Sequence, residues 1–281
     1  MAAISSHLIN KASAALERAG VDSPRLSARM IMGFVLGCSQ EKVLTYPDLA
    51  LENNQVSMFE SLVRRRAEGE PLAYITGSKE FYGYDFLVDK SVLIPRPETE
   101  LIVELAVEHF KSSPDQYFAD IGTGCGAIAV SLALEIRGSL GLACDISLPS
   151  LLLARRNALI QGVQDRVFFF RSDLGMGIRP GTLDFVVSNP PYLSIQDMAR
   201  TSLEVSAYEP FHALVSPDNG LQHIKRLQSV AWLMLKDQGM IFLEMGNDQS
   251  HEVEKTFSKW KKVRIHKDLA GYDRALSAVK S

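Results

Sequence analysis

The chain has 281 residues and a formal net charge of −3, with 46% hydrophobic and 22% charged residues. That length is enough for one large domain or two smaller ones, and the composition is ordinary for a soluble globular protein. A protein that lives on duplex nucleic acid usually has a basic overall balance, and this chain has none.

The cysteines and histidines show no metal-binding spacing. The three cysteines, Cys38, Cys125 and Cys144, are far apart and odd in number, which fits a reducing cytoplasm without a disulfide framework. The six histidines include no HExxH motif, so we expect no catalytic metal. No segment approaches the ~18 apolar residues of a membrane span, and MAAISSHLINKASAALERAG has no apolar run of the signal-peptide type. We therefore expect a cytoplasmic protein with no membrane partner.

Residues 1–75 have the pattern of a small helical bundle. Apolar residues recur at helical spacing over 8–19. Ser23-Pro24 is typical of an N-cap followed by proline at the first helical position, and it predicts a second helix that ends at Gly37. A third helix is predicted from about Gln55 to Ala67.

The composition changes at Leu72. The sequence that follows, AYITGSKEFYGYDFLVDKSVLIP, is rich in aromatic and β-branched residues. This composition predicts one or two short hairpin strands. We assign residues 76–95 to a β-hairpin linker.

Residues 96–281 alternate between strand and helix patterns and form a second predicted domain. A helix over about 98–111 comes first. The predicted strands and helices then follow as YFADIG, AIAVSLALEI, GLACD, SLLLARRNALIQ, VFFFRSD, LDFVVSNP, GLQHIKRLQSVAWLML, GMIFLEM, DQSHEVEKTF and two last strands. Strands that alternate with helices predict an α/β fold with a parallel, doubly wound sheet.

A glycine-rich loop follows the first strand of this domain. It comprises Gly122, Thr123, Gly124, Cys125 and Gly126. Its glycines allow a tight turn and a close backbone approach to a ligand, at the sheet edge where ligands bind in such folds. An acid, Asp120, ends the strand before the loop, and Asp145 ends the next strand, where a carboxylate can accept both hydroxyls of a ribose. The loop also contains a GxGxxA pattern, so these residues alone leave a nicotinamide dinucleotide and S-adenosylmethionine equally open, and a purely structural turn is a third interpretation.

Two further candidates close the third strand. Asp173 is its terminal acid, and the neighbouring Leu174 is placed to cover a flat adenine ring. Taken in isolation, Asp173 is better explained as a turn or helix cap.

The sequence VSNPPYL ends the fourth strand and predicts a second site beside the glycine loop. Each residue before a proline is held extended, and the two prolines cannot continue the strand, so carbonyl groups of Asn189 and Pro190 stay free to accept hydrogen bonds. The Asn189 side-chain oxygen is a further acceptor. Pro191 follows, and Tyr192 supplies a ring face for a flat amide or base. A rigid Pro-Pro turn with a packed tyrosine is the structural alternative.

Acceptors that converge on one nitrogen suit an N–H₂ group. An amide nitrogen is a poor nucleophile because its lone pair is delocalised into the carbonyl. Acceptors that engage its hydrogens would favour a nitrogen with an available lone pair and aim it at a methyl donor. We therefore interpret Asn189, Pro190 and Tyr192 as the catalytic group, with Pro191 in the substrate contact.

With these residues in hand, the chain resembles the release-factor glutamine methyltransferases over nearly its whole length. The similar segments are AGVDSPRLSAR, GEPLAYITGSKEFYG, VLIPRPETE, DIGTGCGAIA, CDIS, VSNPPY, YEPFHAL, FLEMGNDQ and KDLAGYDR, in the order of that family. NPPY alone is shared with many N-methyltransferases, whereas its combination with IPRPETE and KDLAGYDR is specific. The chain departs from the pattern of that family at two places. Leu174 occupies a position where the family often has an aromatic residue, and SPDNGL replaces the family's more usual glycine-rich version of that segment.

The resemblance implies a seven-stranded class I methyltransferase sheet with an antiparallel final strand, and a small N-terminal helical domain that recognises the partner. It implies S-adenosylmethionine as cofactor and, as substrate, the glutamine of the Gly-Gly-Gln motif in bacterial peptide chain release factors, methylated on its side-chain nitrogen. Residues 122–126, Asp145, Asp173, Leu174 and Asn189 would then contact the cofactor, and residues 189–192 would hold the glutamine. We expect a monomer without a direct nucleic-acid partner.

Three alternatives stay open at this point. A methyltransferase that acts on exocyclic amino groups of DNA or RNA bases would use the same NPPY chemistry, but it must also grip phosphates. Residues 1–78 contain eight Lys/Arg and eight Asp/Glu, and we interpret the run Arg64-Arg65-Arg66 as a solvated helix face. A dehydrogenase or a non-catalytic adaptor would not need both the glycine loop and NPPY.

Overall fold

The structure is a computed structural model that describes residues 3–281. The chain divides into two compact units: a helical unit, which comprises the residues up to Ser78 together with Ser202–Tyr208, and a sheet unit, which comprises Lys79–Thr201 and Glu209–Ser281. Within residues 3–281 no helix combines the length and apolar character that crossing a membrane requires.

The α-helices of the described chain are α1 (Ser5–Arg18), α2 (Pro24–Leu36), α3 (Gln40–Thr45), α4 (Asn53–Ala67), α5 (Leu72–Thr76), α6 (Glu100–Phe110), α7 (Ala127–Glu135), α8 (Leu148–Ile160), α9 (Ile195–Met198), α10 (Leu203–Tyr208), α11 (Phe211–Leu214), α12 (Gln222–Met234) and α13 (Ser250–Thr256). The strands are β1 (Ala3–Ile4), β2 (Ala50–Leu51), β3 (Ser78–Phe81), β4 (Tyr84–Leu87), β5 (Tyr117–Ile121), β6 (Leu140–Asp145), β7 (Val167–Arg171), β8 (Leu183–Ser188), β9 (Leu235–Glu244), β10 (Lys261–Lys267) and β11 (Asp273–Val279). A 3₁₀ turn, Pro97–Thr99, leads into α6.

The helical unit packs α1, α2 and α4 around a shared apolar core. Leu16, Ile31 and Phe59 are fully buried there, one from each helix. The predicted helices are therefore present, and the elements that the pattern missed are short: α3, α5, α10 and the β1–β2 pair. Most of this unit's stability comes from the buried apolar faces, because helices of this length are marginal in isolation.

Three details of the helical unit differ from the sequence predictions. Ser23 precedes α2 as expected, but its backbone is left-handed (φ 52°) and its side chain makes no capping hydrogen bond. Residues 72–76, expected to be strand, form α5 instead. The run Arg64-Arg65-Arg66 is not simply a solvated face: Arg65 pairs with Glu70 at 2.7 Å, and buried Arg66 reaches Glu204 of α10 at 2.5 Å.

The sheet unit contains a seven-stranded sheet in the order β10-β11-β9-β8-β5-β6-β7. The pairs β5–β6, β6–β7, β5–β8 and β8–β9 are parallel, and β11 is antiparallel to both of its neighbours. The predicted class I methyltransferase fold, with its antiparallel final strand, is confirmed. β3 and β4 pair in a separate two-stranded sheet.

The strand order reverses at β5. From this strand the chain adds β6 and β7 on one side, and then β8 and β9 on the other. In such sheets the crevice at the reversal point is the usual ligand site. The loop after β5 carries the glycines and the loop after β8 carries NPPY, so the two predicted sites lie side by side.

Aromatic packing fixes α6 on the sheet beside these loops. The Phe110 ring of α6 stacks on Phe185 of β8 at a centroid distance of 4.4 Å, and Phe118 of β5 stacks on the same ring at 5.2 Å. Phe118 and Phe185 are fully buried. Stacked rings of this kind hold a helix in one position on a sheet, since each buries a large apolar area in a defined geometry.

Candidate active site

The glycine loop divides into an open part and a packed part. Gly122 and Gly124 have positive φ (78° and 56°), and a Cβ on either would meet no atom within 4 Å. Gly126 also has positive φ, but its Cβ would lie 3.1 Å from the Ala154 Cβ of α8. Thus Gly122 and Gly124 leave space for a ligand, whereas Gly126 allows close helix packing.

The acid before the loop, Asp120, is fully buried. Its Oδ2 accepts hydrogen bonds from Thr123 Oγ1 at 2.6 Å and from the Ala129 amide at 3.2 Å. Its Oδ1 has no hydrogen-bond partner in the described chain. Burial raises the pKa of the Asp120 carboxyl to about 7, against the lowering effect of these hydrogen bonds.

The acid at the end of β6, Asp145, braces the loop and keeps acceptor capacity. Its Oδ2 accepts from the Gly124 amide at 3.0 Å, and its Oδ1 accepts from the Ser147 amide at 2.9 Å. Each carboxylate oxygen has a second lone pair, so both can still accept from a ligand hydroxyl.

One cleft joins most of the predicted site residues. The empty space in it is about 760 Å³, open solvent at its mouth included. The predicted residues in its wall are Gly122, Gly124, Asp145, Asp173, Leu174, Asn189, Pro190 and Pro191. Of these, Asp173 also forms an ion pair with Arg226 at 2.5 Å.

Four predicted residues lie behind the cleft wall. Thr123 and Cys125 are buried, and Gly126 packs on α8. Tyr192 packs against the apolar core under the sheet, and its hydroxyl donates to Glu244 Oε1 at 3.1 Å. These residues support the loops that form the cleft, and their predicted contacts with ligands stay predictions.

The Asn189 amide is held in one orientation. Its Nδ2 donates to Thr99 Oγ1 at 3.0 Å. Its Oδ1 and the carbonyl oxygens of Asn189 and Pro190 accept no hydrogen bond from a described residue. The NPPY loop therefore presents unused acceptors at the cleft, as the two prolines predict.

Glu244, which the sequence reasoning left out, is a buried carboxyl behind NPPY. Burial raises its pKa to about 7, and hydrogen bonding with the Thr99 and Tyr192 hydroxyls opposes that rise. Its Oε2 has no hydrogen-bond partner in residues 3–281. Burial also raises the pKa of the Tyr192 hydroxyl, so this group stays protonated and donates.

The motifs without an assigned role are located around NPPY. Arg96 of IPRPETE pairs with buried Glu209 of YEPFHAL at 2.5 Å. Arg274 of KDLAGYDR pairs with Asp268 at 3.2 Å, and its positive charge lowers the pKa of nearby Glu244, whose rise comes first from burial. The signal in the sequence was that IPRPETE and KDLAGYDR, combined with NPPY, resemble one family.

The segment SPDNGL supports the end of NPPY. Gly220 has φ +85°, and a Cβ there would lie 2.0 Å from the Tyr192 carbonyl oxygen. The same carbonyl accepts from Gln249 Nε2 at 3.0 Å. Only a glycine lets the SPDNGL backbone approach NPPY this closely.

Comparison with known proteins identifies the family to which this chain belongs. The model of the PrmC N-terminal domain matches residues 7–77, and that of the methyltransferase small domain matches residues 100–206. A protein named release factor glutamine methyltransferase from Nitratidesulfovibrio vulgaris is 42% identical, over 96% of this chain and 93% of its own length. The chain belongs to the release factor glutamine methyltransferase family. It is therefore a methyltransferase, and neither a dehydrogenase nor a non-catalytic adaptor.

Other relatives agree with this family membership. A protein of the same name from Koribacter versatilis is 37% identical, and the match covers 93% of each chain. The fold also resembles the crystal structure of a methyltransferase from Pyrococcus furiosus, with a TM-score of 0.54, 18% identity and coverage of 78% of this chain and 97% of that one.

The residues of the cleft fit S-adenosylmethionine. The empty space at Gly122 and Gly124 admits a ligand against the backbone, and Asp145 retains acceptors for ribose hydroxyls.

Proposed function

We propose that the chain methylates the side-chain nitrogen (N5) of the glutamine in the Gly-Gly-Gln motif of bacterial release factors, with S-adenosylmethionine as donor. The observation that supports this most strongly is the set of unused acceptors at NPPY. Asn189 Oδ1 and the free carbonyls of Asn189 and Pro190 offer hydrogen-bond acceptors for an N–H₂ group.

In this proposal the sheet-edge residues hold the cofactor. Gly122 and Gly124 allow its close approach, Asp145 accepts from the ribose, and Leu174 contacts the adenine from the cleft wall. When bound, S-adenosylmethionine supplies an electrophilic methyl group. Asp173 is engaged with Arg226, so its contribution is to shape the wall.

The NPPY residues have to overcome the low nucleophilicity of an amide. Acceptors on its two hydrogens stabilise the amide in the form in which its nitrogen lone pair is available, and they orient that lone pair. The prolines fix these acceptors in advance, so little reorganisation is needed during the reaction. The nitrogen loses its proton readily after methylation, which removes the need for a strong general base.

Release factors as the substrate follow from the names of the relatives at 37–42% identity. We propose that the helical unit recognises this partner, and that the protein acts as a monomer in the cytoplasm. Two arginines of the helical unit, Arg65 and Arg66, form ion pairs with Glu70 and Glu204. Because paired arginines are less available for phosphate groups, this disfavours a role as a nucleic-acid anchor.

The experiment that tests this is methyl transfer from labelled S-adenosylmethionine to a purified release factor. A release factor whose Gly-Gly-Gln glutamine is replaced serves as matched control, and DNA and ribosomal RNA serve as parallel acceptors. Label on the intact release factor alone is the expected result. Label on a nucleic acid, with none on the release factor, would replace this function by base N-methylation through the same NPPY chemistry.

A further inference from the structure

Thr99 ends the 3₁₀ turn that runs directly into α6, and its own backbone is helical (φ −69°, ψ −21°). Here its side chain makes no capping hydrogen bond. The hydroxyl is buried and contacts Asn189 instead, across 90 positions of the sequence. Its place in the fold therefore serves NPPY rather than α6.

The direction of these hydrogen bonds follows from the chemistry of each group. The Asn189 nitrogen can only donate, so Thr99 Oγ1 accepts in this contact. The Thr99 hydroxyl keeps its single proton, and the nearby Glu244 carboxyl, whose pKa this hydroxyl lowers, is an available acceptor for it. Tyr192 donates to the same carboxyl at 3.1 Å. Tyr192, at one end of NPPY, thus bonds Glu244 directly, and Thr99, which bonds Asn189 at the other end, lies close to the same carboxyl.

Burial of the Glu244 carboxyl at this position is unfavourable for the stability of the fold. It is 1% exposed, and one of its oxygens has no partner among the described residues. A buried carboxyl with incomplete hydrogen bonding generally destabilises a fold relative to an apolar residue. A function in orienting its neighbours accounts for its presence.

We infer that Thr99 and Glu244 are positioning residues that turn the Asn189 side chain so that its oxygen, and not its nitrogen, faces the acceptor nitrogen of the substrate. This inference rests on the proposed function. If the Asn189 amide rotated, Nδ2 would face the substrate N–H₂ group, and two donors would oppose each other. The Thr99 hydroxyl opposes that rotation when its one proton is directed at the Glu244 carboxyl, because its oxygen can then only accept, and Nδ2 rather than Oδ1 is the partner that it bonds.

A matched pair of variants tests this in the full-length protein. Thr99→Val keeps the shape but removes the hydroxyl, and Thr99→Ser keeps the hydroxyl. For release-factor methylation we expect Thr99→Val to lower kcat by about 10- to 100-fold, the effect of a misplaced reacting group. S-adenosylmethionine affinity by calorimetry should be unchanged, and Thr99→Ser should recover most of the rate. A Thr99→Val enzyme with wild-type kcat would overturn the inference, and so would a Thr99→Ser enzyme as slow as Thr99→Val.

A double-mutant cycle tests the role of Glu244 in positioning Asn189. Glu244→Met removes the acceptor at similar length, and we expect it to lower kcat without weakening cofactor binding. If the two residues act through Asn189 in series, the double variant with Thr99→Val falls little below the slower single variant. Independent, multiplicative losses would remove Glu244 from the inference.

A measurement that needs no catalysis separates this inference from the proposed function. The Asn189 side-chain amide protons, assigned by their loss in Asn189→Asp, should exchange slowly with water in the wild type and in Thr99→Ser. Thr99→Val should lose this protection. If the wild type did not methylate a release factor, the proposed function would be wrong. The exchange measurement would still determine the orientation of the Asn189 amide. Equal exchange in all three proteins would refute that orientation.

Discussion

The close approach of SPDNGL to NPPY leads to a sharp prediction for Gly220→Ala. The added methyl would lie 2.0 Å from the Tyr192 carbonyl oxygen, where ordinary contact begins at 3.4 Å, so the carbonyl or the SPDNGL backbone must move by more than an ångström. Alanine at φ +85° adds about 1–2 kcal/mol of backbone strain. Loss of the hydrogen bond from Gln249 to the displaced carbonyl adds about 1 kcal/mol. We expect the free energy of unfolding to fall by about 2–3 kcal/mol in total.

A shift of this size also moves the acceptors of NPPY, so methyl transfer should slow by about 10- to 100-fold. Gly162→Ala is the matched control, since Gly162 has φ +71° and no atom within 4 Å of the added methyl. We expect it to lose about 1–2 kcal/mol of stability from strain alone and to keep the wild-type rate. Urea unfolding and release-factor methylation measure both quantities. If Gly220→Ala matched Gly162→Ala in stability and rate, the supporting role of SPDNGL would be refuted.

Three more predictions concern residues of the sheet edge. Asn189→Ala should abolish methyl transfer while calorimetry shows nearly unchanged S-adenosylmethionine affinity, and a variant that retained most of its kcat would contradict the role of the acceptors. Asp145→Ala should weaken cofactor binding by about 1.5–3 kcal/mol, the range for a hydrogen bond to a charged group, and unchanged affinity would remove Asp145 from the ribose contact. Burial raises the pKa of Asp120 to about 7 in the folded protein, from ~4 in the unfolded chain. The folded protein therefore binds this proton more tightly than the unfolded chain does. The resulting stabilisation is complete below pH ~4 and is lost as the pH rises through 7. From pH 6 to pH 8 the free energy of unfolding of the wild type should therefore fall by about 1 kcal/mol more than that of Asp120→Asn, and identical pH dependence in urea titrations would argue against the raised pKa.

The sheet and the meeting of the two loops could be predicted because they follow from local rules. Alternating strand and helix patterns predict a parallel sheet, and the carboxyl ends of neighbouring parallel strands share one edge. This is enough to bring Gly122, Gly124 and Asp145 together with Asn189 in one cleft. Each of these residues ends a strand or lies in the loop after one.

The residues behind the cleft could not be predicted in the same way. Thr99 and Glu244 reach NPPY through side-chain contacts between segments far apart in sequence, and no periodicity encodes such contacts. Arg66 is buried because α10 brings Glu204 to it from 138 positions away, which overrides the usual exposure of an arginine run. Residues 74–76 are aromatic or β-branched, yet a short helix begins after Pro71 and includes them, so local context outweighs strand propensity.

The most direct test of the account is the position of the transferred methyl group. A release factor methylated by this protein would be digested, and the peptide that contains Gly-Gly-Gln would be sequenced by tandem mass spectrometry, with acid hydrolysis to detect released methylamine. The account predicts one methyl group on the glutamine side-chain nitrogen with the wild type, and none with Asn189→Ala. A methyl group on any other residue, or an unmodified glutamine beside a methylated nucleic acid, would contradict the assignment of NPPY to an amide nitrogen of a release factor.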